Sequence, residues 1–381
     1  MKLPDHIKTY ISLCVLAFVG ALFVFKYGVR LLHSPVIAGL VTGAYALIYL
    51  ASLIFIKRIG IPRITRLADQ RLFLLVLGVL VVSALGIILF FPETSRVSRL
   101  LALKEWLARL LTGSYPWSLS VQYNPSGLPF LFFIALPFYF VGNLGFLEVI
   151  GIILFFVSLA CLFPQPNTRW VPLIALLLLP SFYYEVLVRS ELLFNISLVI
   201  ILMILAERYL NPDKLNFSFF ALAALFGLVL STRAVVGLIY VAYYAYKFRK
   251  HVYGGIRFSV ISLLFFSLTL LPFIIWDPHT FFTQGPFYMQ LLHLPIGLAG
   301  LFVILAVIAG WKADSFQQLI FLSGVLLFLT VGSAFSLTIA SMGVNSSIIN
   351  DGFDITYFIF SVPFLLLSLN IPTPDTNLRG L

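Results

Sequence analysis

The sequence predicts an all-α polytopic membrane protein, and three observations predict it. Hydrophobic residues make up 61% of the 381-residue chain and charged residues 10%, with a mean hydropathy of +1.07, far outside the soluble range. Several windows of about 20 residues are almost free of charge, the length a helix needs to cross about 30 Å of hydrocarbon. A segment such as LFLLVLGVLVVSALGIILFF is apolar on all sides, whereas a membrane barrel would alternate over segments of about ten residues.

Apolar windows place twelve spans at 9–25, 35–56, 72–91, 146–163, 170–186, 192–206, 217–232, 234–247, 258–276, 295–310, 317–341 and 355–370. The loop KRIGIPRITRLADQR carries Lys57, Arg58, Arg63, Arg66 and Arg71, and KFRKHVYGGIR carries Lys247, Arg249, Lys250 and Arg257. Both loops are expected on the cytoplasmic side, which accounts for the net charge of +10 without a nucleic-acid partner. The stretch GLPFLFFIALPFYFVG (127–142) is apolar too. Counted as a full crossing, it would put the two basic loops on opposite sides. It is short and holds Pro129 and Pro137, so a re-entrant or interface-lying piece is expected. Such backbone survives at membrane depth only when covered by protein or lining a wet cavity.

Twelve crossings put both termini in the cytoplasm and 92–145, 183–191, Arg233, 277–294 and 342–354 outside. Within the large first external loop, VSRLLALKEWLARLL (97–111) places Ser98, Glu105 and Arg109 on one helical stripe, with leucines and Trp106 on the rest. An interfacial amphipathic helix is expected. The chain reads as one integral domain over 1–381: two N-terminal spans and a basic loop in 1–71, a core with its external loop (92–145) in 72–254, and further spans in 255–381. The first apolar run lacks a small-residue cleavage site and is expected to be a span, not a cleaved signal peptide.

Ionisable groups near membrane depth are costly and tend to face cavities or partners. SFYYEVLVRSELLFN supplies Glu185, Arg189 and Glu191; WDPHTFFTQGPFYMQLLH adds Asp277, His279 and His293; NSSIINDGFDITY adds Asp351 and Asp354. Any one of these also fits an interfacial cap or a snorkelling side chain. Arg233 lies inside the apolar run GLVLSTRAVVGL, which splits into two short helices meeting at the outer side. A guanidinium there needs an anion, and it binds phosphate oxygens in a fork. Arg189, Arg96, Arg99, Lys104 and Arg109 are candidates to join it. No phosphate-binding glycine loop, zinc-protease motif, serine-hydrolase motif or metal-ligand spacing is present. Cys14 and Cys161 fall inside spans and support neither a disulfide nor a cluster. Carboxylates remain as acid/base groups.

The segments ARLLTGSYPW and YNPSGLPFLFFIALPFYFVGNLGF, the arginine-centred FGLVLSTRAVVGL, and LLPFIIWDPHTFF together resemble the GT-C glycosyltransferases, including aminoarabinose transferases and protein O-mannosyltransferases. Gly113, Pro116 and Trp117, then Asn124 and Pro125, then Gly142 match that pattern, and the resemblance covers most of 72–370. It implies transfer of a sugar from a polyprenyl-phosphate carrier to a lipid, glycan or protein acceptor on the extracytoplasmic side, without a cofactor. An acid of the first external loop would be the base, and the anomeric carbon would invert. The family's acidic pair after the preceding span is reduced here to Glu93, in FFPETSRVSRL, and residues 1–56 add two spans. Glu93 is therefore the expected base, with Glu105, Glu191 and Asp277 as alternatives; as a structural residue it would be a helix-start acid. Arg189, Arg233, Arg96, Lys104 and His279 are expected to bind the substrate. Tyr115, Trp117, Tyr123 and Asn124 are expected to line the sugar pocket or to form an interfacial aromatic belt. Two rival classes stand beside this one: a polysaccharide polymerase or ligase, which would carry its large loop in its second half, and a lipid or solute transporter, which would show paired repeats. A bacterial inner membrane is the expected location.

Overall fold

A computed structural model describes residues 4–59, 66–93, 98–118, 125–291 and 294–369. Every element among them is helical. In order they are α1 (Asp5–Leu32), α2 (Pro35–Ile59), α3 (Arg66–Phe90), α4 (Ser98–Leu111), α5 (Pro129–Phe140), α6 (Phe146–Leu162), α7 (Trp170–Leu177), α8 (Pro180–Val188), α9 (Leu192–Tyr209), α10 (Phe217–Leu230), α11 (Val236–Lys247), α12 (Val252–Trp276), α13 (Pro278–Gln284), α14 (Pro286–Leu291), α15 (Ile296–Lys312), α16 (Phe316–Met342) and α17 (Val362–Leu367). Short 3₁₀ turns at Pro166–Arg169 and Ile355–Phe360 and a π turn at Asn345–Ile349 complete the set.

Each of the twelve apolar windows falls on helix. Six helices, α1, α2, α3, α9, α12 and α16, are long and apolar enough to cross a membrane, and the pair α7–α8, bent by 65°, makes a seventh candidate. Helices of 12 to 17 residues, α6, α10, α11 and α15, occupy four of the other windows, and the last holds the short 3₁₀ turn and α17. At 1.5 Å per residue the four reach roughly 18–26 Å, short of the hydrocarbon thickness. They are short because chemistry interrupts them: Pro180 starts α8 after an extended Leu179, and Ser231 to Val235 separate α10 from α11.

Helix-to-helix packing relies on small residues where backbones approach closely, as expected where lipid competes for apolar contacts. A Cβ on Gly151 of α6 would lie 2.6 Å from the Phe194 nitrogen of α9. The α1–α2 hairpin turns at His33, whose left-handed backbone (φ 51°) caps α1. In contrast, α2 and α3 are buried over only 11% and 17% of their apolar windows. Such faces suit hydrocarbon, not water.

A second, smaller core lies between α4, α5, α12 and α13. Trp106 of α4 stacks on Phe132 of α5 at 3.9 Å, and Trp117 packs edge-on against Phe273 and Phe281. The two loop glycines have separate reasons: Gly113 (φ 72°) ends α4 and Gly142 (φ 87°) ends α5, the left-handed positions where a Cβ is penalised.

Candidate functional site

The break in the arginine-bearing run is built from backbone. The free carbonyls of Ser231 and Thr232 accept from the amides of Phe130 (2.9 Å) and Leu128 (3.0 Å) at the start of α5. Two irregular segments thus satisfy each other, as backbone away from water must. Thr232 Oγ1 donates to the Val229 carbonyl at 2.6 Å and lies 3.3 Å from Asn195 Oδ1. Arg233 is thereby turned inward.

Arg233 is 5% exposed. Its Nη1 donates to Ser126 Oγ at 2.9 Å, its Nη2 pairs with Glu191 Oε1, and its Nε has no hydrogen-bond partner. It borders a cavity of about 400 Å³ between α11, α14, α15 and α16. Among the described residues lining that cavity, Arg233 is the charged one; Ser126, Thr330 and Tyr357 bring hydroxyls, and the rest are apolar, including Leu238, Phe302, Val331 and Ala334. Burial pushes the Glu191 carboxyl upward, but the guanidiniums of Arg233 and Arg99 outweigh it and hold it below the ordinary range.

Arg99 of α4 forms a second node. Its Nε and Nη2 donate to Asp354 Oδ2 at 3.1 and 2.7 Å, its Nη1 donates to Ser190 Oγ at 3.1 Å, and its guanidinium lies 5.3 Å from the Tyr357 ring centre. Tyr357 thus touches both the arginine and the cavity. Arg189 anchors a third node: it donates to Glu93 Oε1 at 2.9 Å and to the Ile88 and Phe91 carbonyls at 2.9 and 2.7 Å. Glu93 Oε2 also pairs with Lys104. Asp351, with a left-handed backbone (φ 61°), joins Lys26 and Arg30 of α1, each at 2.6 Å.

These nodes share the end of the bundle where α9 begins. Lys247 pairs with Glu207 at 3.2 Å near the other end of α9, roughly 24 Å along the helix from Glu191. The nodes and the Lys247–Glu207 pair therefore lie toward opposite ends of α9.

The other expected residues lie elsewhere. Glu93 follows the C-terminus of α3 and is bridged by cations; it does not start a helix as its structural alternative required. Arg189 is spent on α3 carbonyls and Glu93, because its left-handed position (φ 54°) aims it at that helix end. Asp277 caps α13 by accepting from the Thr280 amide at 2.9 Å, and that hydrogen bonding lowers its pKa. His279 is exposed on α13, and Glu105 is half-buried on α4. Arg109 donates to the Tyr115 carbonyl at 2.8 Å and closes the turn after α4. Trp117 belongs to the second core, and the Tyr115 hydroxyl donates to the Phe273 carbonyl at 3.3 Å; neither borders the Arg233 cavity. Arg96, Tyr123, Asn124 and His293 lie outside the described residues.

Sequence reasoning passed over Ser126, Ser190, Tyr357 and Glu148. Glu148 carried a usable signal, as a lone acid in LGFLEVIGIILFF, whereas the hydroxyls carried none. Among the described residues, no group of three or more His, Cys, Asp or Glu side chains is arranged to hold a metal ion. No protein-family model matches the chain, and no curated protein or solved structure is significantly similar to it.

Proposed function

We propose that this chain is a GT-C-like membrane glycosyltransferase that moves a sugar from a polyprenyl-phosphate carrier to an acceptor outside the cytoplasm. The observation that carries the reading is Arg233: a buried guanidinium with an unpartnered Nε on a mostly apolar cavity of about 400 Å³. Such a site matches an amphiphile with a small anionic head and a hydrocarbon chain. The phosphate would accept from Arg233 and Ser126, with the first isoprene units against Leu238, Phe302, Val331 and Ala334.

In this reading twelve helical segments cross a bacterial inner membrane with both termini cytoplasmic, and α5 dips into the outer leaflet without crossing. Glu93 is the proposed base. Arg189 and Lys104 pair with it, and a side chain 31% exposed leaves room for an acceptor hydroxyl. That hydroxyl loses its proton to the carboxylate while its oxygen bonds the anomeric carbon. The bond from that carbon to the phosphate oxygen breaks on the opposite face, and the electron pair leaves on phosphate beside Arg233. Configuration inverts, and no covalent intermediate is needed. Glu191 orients Arg233.

Purified protein in liposomes tests this with a labelled polyprenyl-phosphate sugar and a membrane lipid extract as acceptor pool. Transfer of label is expected, lost in Glu93→Gln. Lipid-phosphate affinity should fall at least about 10-fold when Arg233 and Glu191 are both replaced by Gln, a change that removes the cation without stranding its partner. Unchanged affinity would show Arg233 to be structural. Trans-bilayer movement of label without transfer would replace the reading with transport.

A further inference from the structure

The proposed reaction leaves the carrier phosphate with more negative charge than it carried in the donor. The cavity wall has to meet that charge, yet several of its polar atoms are already engaged. Thr330 Oγ1 donates to the Leu326 carbonyl at 2.8 Å, which turns its proton back onto α16. Ser126 Oγ accepts from Arg233 Nη1 at 2.9 Å, and Arg233 Nη2 is held by Glu191.

Among the described residues of the wall, Tyr357 is the remaining polar side chain. Its hydroxyl makes no hydrogen bond among the described residues. Unlike the unpartnered hydroxyls of Tyr240 and Tyr243, it is not sealed inside protein either. A polar group left open on an apolar wall calls for water or a ligand to meet it.

The ring, in contrast, is fixed. The Arg99 guanidinium lies 5.3 Å from its centre, Phe360 stacks on it at 5.9 Å and 17°, and Phe353 meets it edge-on at 6.2 Å. Arg99 is itself held by Asp354 and Ser190. A clamped phenol ring fixes its oxygen, and only the hydroxyl proton still turns. A donor placed in advance costs no reorganisation when charge develops before it. The same helix, α4, carries Arg99 to this ring and Lys104 to Glu93, about 7.5 Å apart along its axis. One rigid element thus holds both the hydroxyl on the cavity and the carboxylate proposed as base.

We propose that Tyr357 is a catalytic residue that donates a hydrogen bond to the phosphate oxygen released from the anomeric carbon. The bond between that carbon and the oxygen breaks, its electron pair stays on the oxygen, and the Tyr357 proton points at it while remaining on the phenol. The contact strengthens as the oxygen gains charge, so it stabilises the departing carrier more than the intact donor.

This role rests on the phosphate reading of Arg233, and three probes added to detergent-solubilised protein at about pH 8 keep the two apart. Farnesyl phosphate is close to a dianion there and stands for the departed carrier. Farnesyl methyl phosphate, a monoanion, stands for the donor, and farnesol has no phosphate. Tyr357→Phe keeps the ring between Arg99 and Phe360. It should weaken farnesyl phosphate about 10- to 100-fold, farnesyl methyl phosphate by less than about 5-fold, and farnesol by less than about 2-fold. In the liposome transfer assay, kcat should fall about 10-fold or more while the donor KM changes less than about 3-fold. Equal losses for the two phosphates would make Tyr357 a uniform binder and overturn the catalytic role. Equal losses for all three probes would make it a piece of wall and overturn the proposal outright. An unchanged affinity for farnesyl phosphate, in a protein whose wild type prefers it to farnesol, overturns Tyr357 and leaves the Arg233 reading standing. A wild type that binds farnesyl phosphate no better than farnesol overturns both.

Discussion

Arg99 and Asp354 stand 255 residues apart in sequence, yet two guanidinium nitrogens converge on one carboxylate oxygen of Asp354 at 3.1 and 2.7 Å. This pair ties α4 to the turn that carries Phe353 and Tyr357 into the cavity wall. Burial pushes the Asp354 carboxyl up, but Arg99 and the Thr356 hydrogen bonds outweigh it and hold the group below its ordinary range. A carboxyl depressed on folding contributes stability above its unfolded pKa, about 3.9, and loses that contribution as pH falls through the folded value. Thermal unfolding in detergent should therefore be nearly flat from pH 7 to 5 and weaken below about pH 4. Asp354→Asn should be less stable than the wild type by about 2 kcal/mol at pH 7, with a shallower acid loss. Parallel pH profiles for the two proteins would remove Asp354 from this role.

Arg189 closes a helix end by geometry as much as by charge. Its left-handed backbone (φ 54°) carries a non-glycine side chain in a region seldom occupied, and the return is three acceptors: Glu93 and the Ile88 and Phe91 carbonyls. A lysine ammonium cannot span them, because its charge is a single point and not a fork. Arg189→Lys should lower stability by about 1–3 kcal/mol through the unsatisfied carbonyls, and Arg189→Ala should do no less. Lipid-phosphate affinity, measured on the folded fraction, should change less than about 3-fold. A larger loss of affinity than of stability would return Arg189 to the phosphate site.

The pattern of apolar windows carried the helical architecture because hydrocarbon imposes a length and a composition that local sequence must obey. Even the break at Arg233 was legible, since a charged residue inside an apolar run leaves few alternatives. Partner choice was not legible. Arg99, Arg189 and Arg233 look alike in sequence as outer-side cations, and only long-range packing sends Arg99 to Asp354, Arg189 to the end of α3 and Arg233 to the cavity. Trp117 failed for a related reason: its ring suits both a sugar face and a core, and Phe132, Phe273 and Phe281 arrive from three separate helices to bury it. The π turn at Asn345–Ile349, which positions Asp351 and Asp354, has no short-range signature at all.

Ala334 offers a way to separate the two ends of the proposed ligand. It lines the cavity from α16 and is 8% exposed, next to Val331 and away from the guanidinium that would hold the head group. A larger apolar side chain there fills space without adding charge or removing a hydrogen bond. Ala334→Phe should leave stability within about 1–3 kcal/mol of the wild type, the usual range for overpacking at a site with room to give. The prediction concerns selectivity. Affinity for farnesyl phosphate should fall about 10-fold or more, because the chain loses its apolar burial, while the weaker affinity for inorganic phosphate should stay within about 2-fold, because Arg233 and Ser126 are untouched. Equal loss for both probes would mean that the substitution displaces Arg233, and no loss for either would mean that the hydrocarbon chain lies outside this cavity.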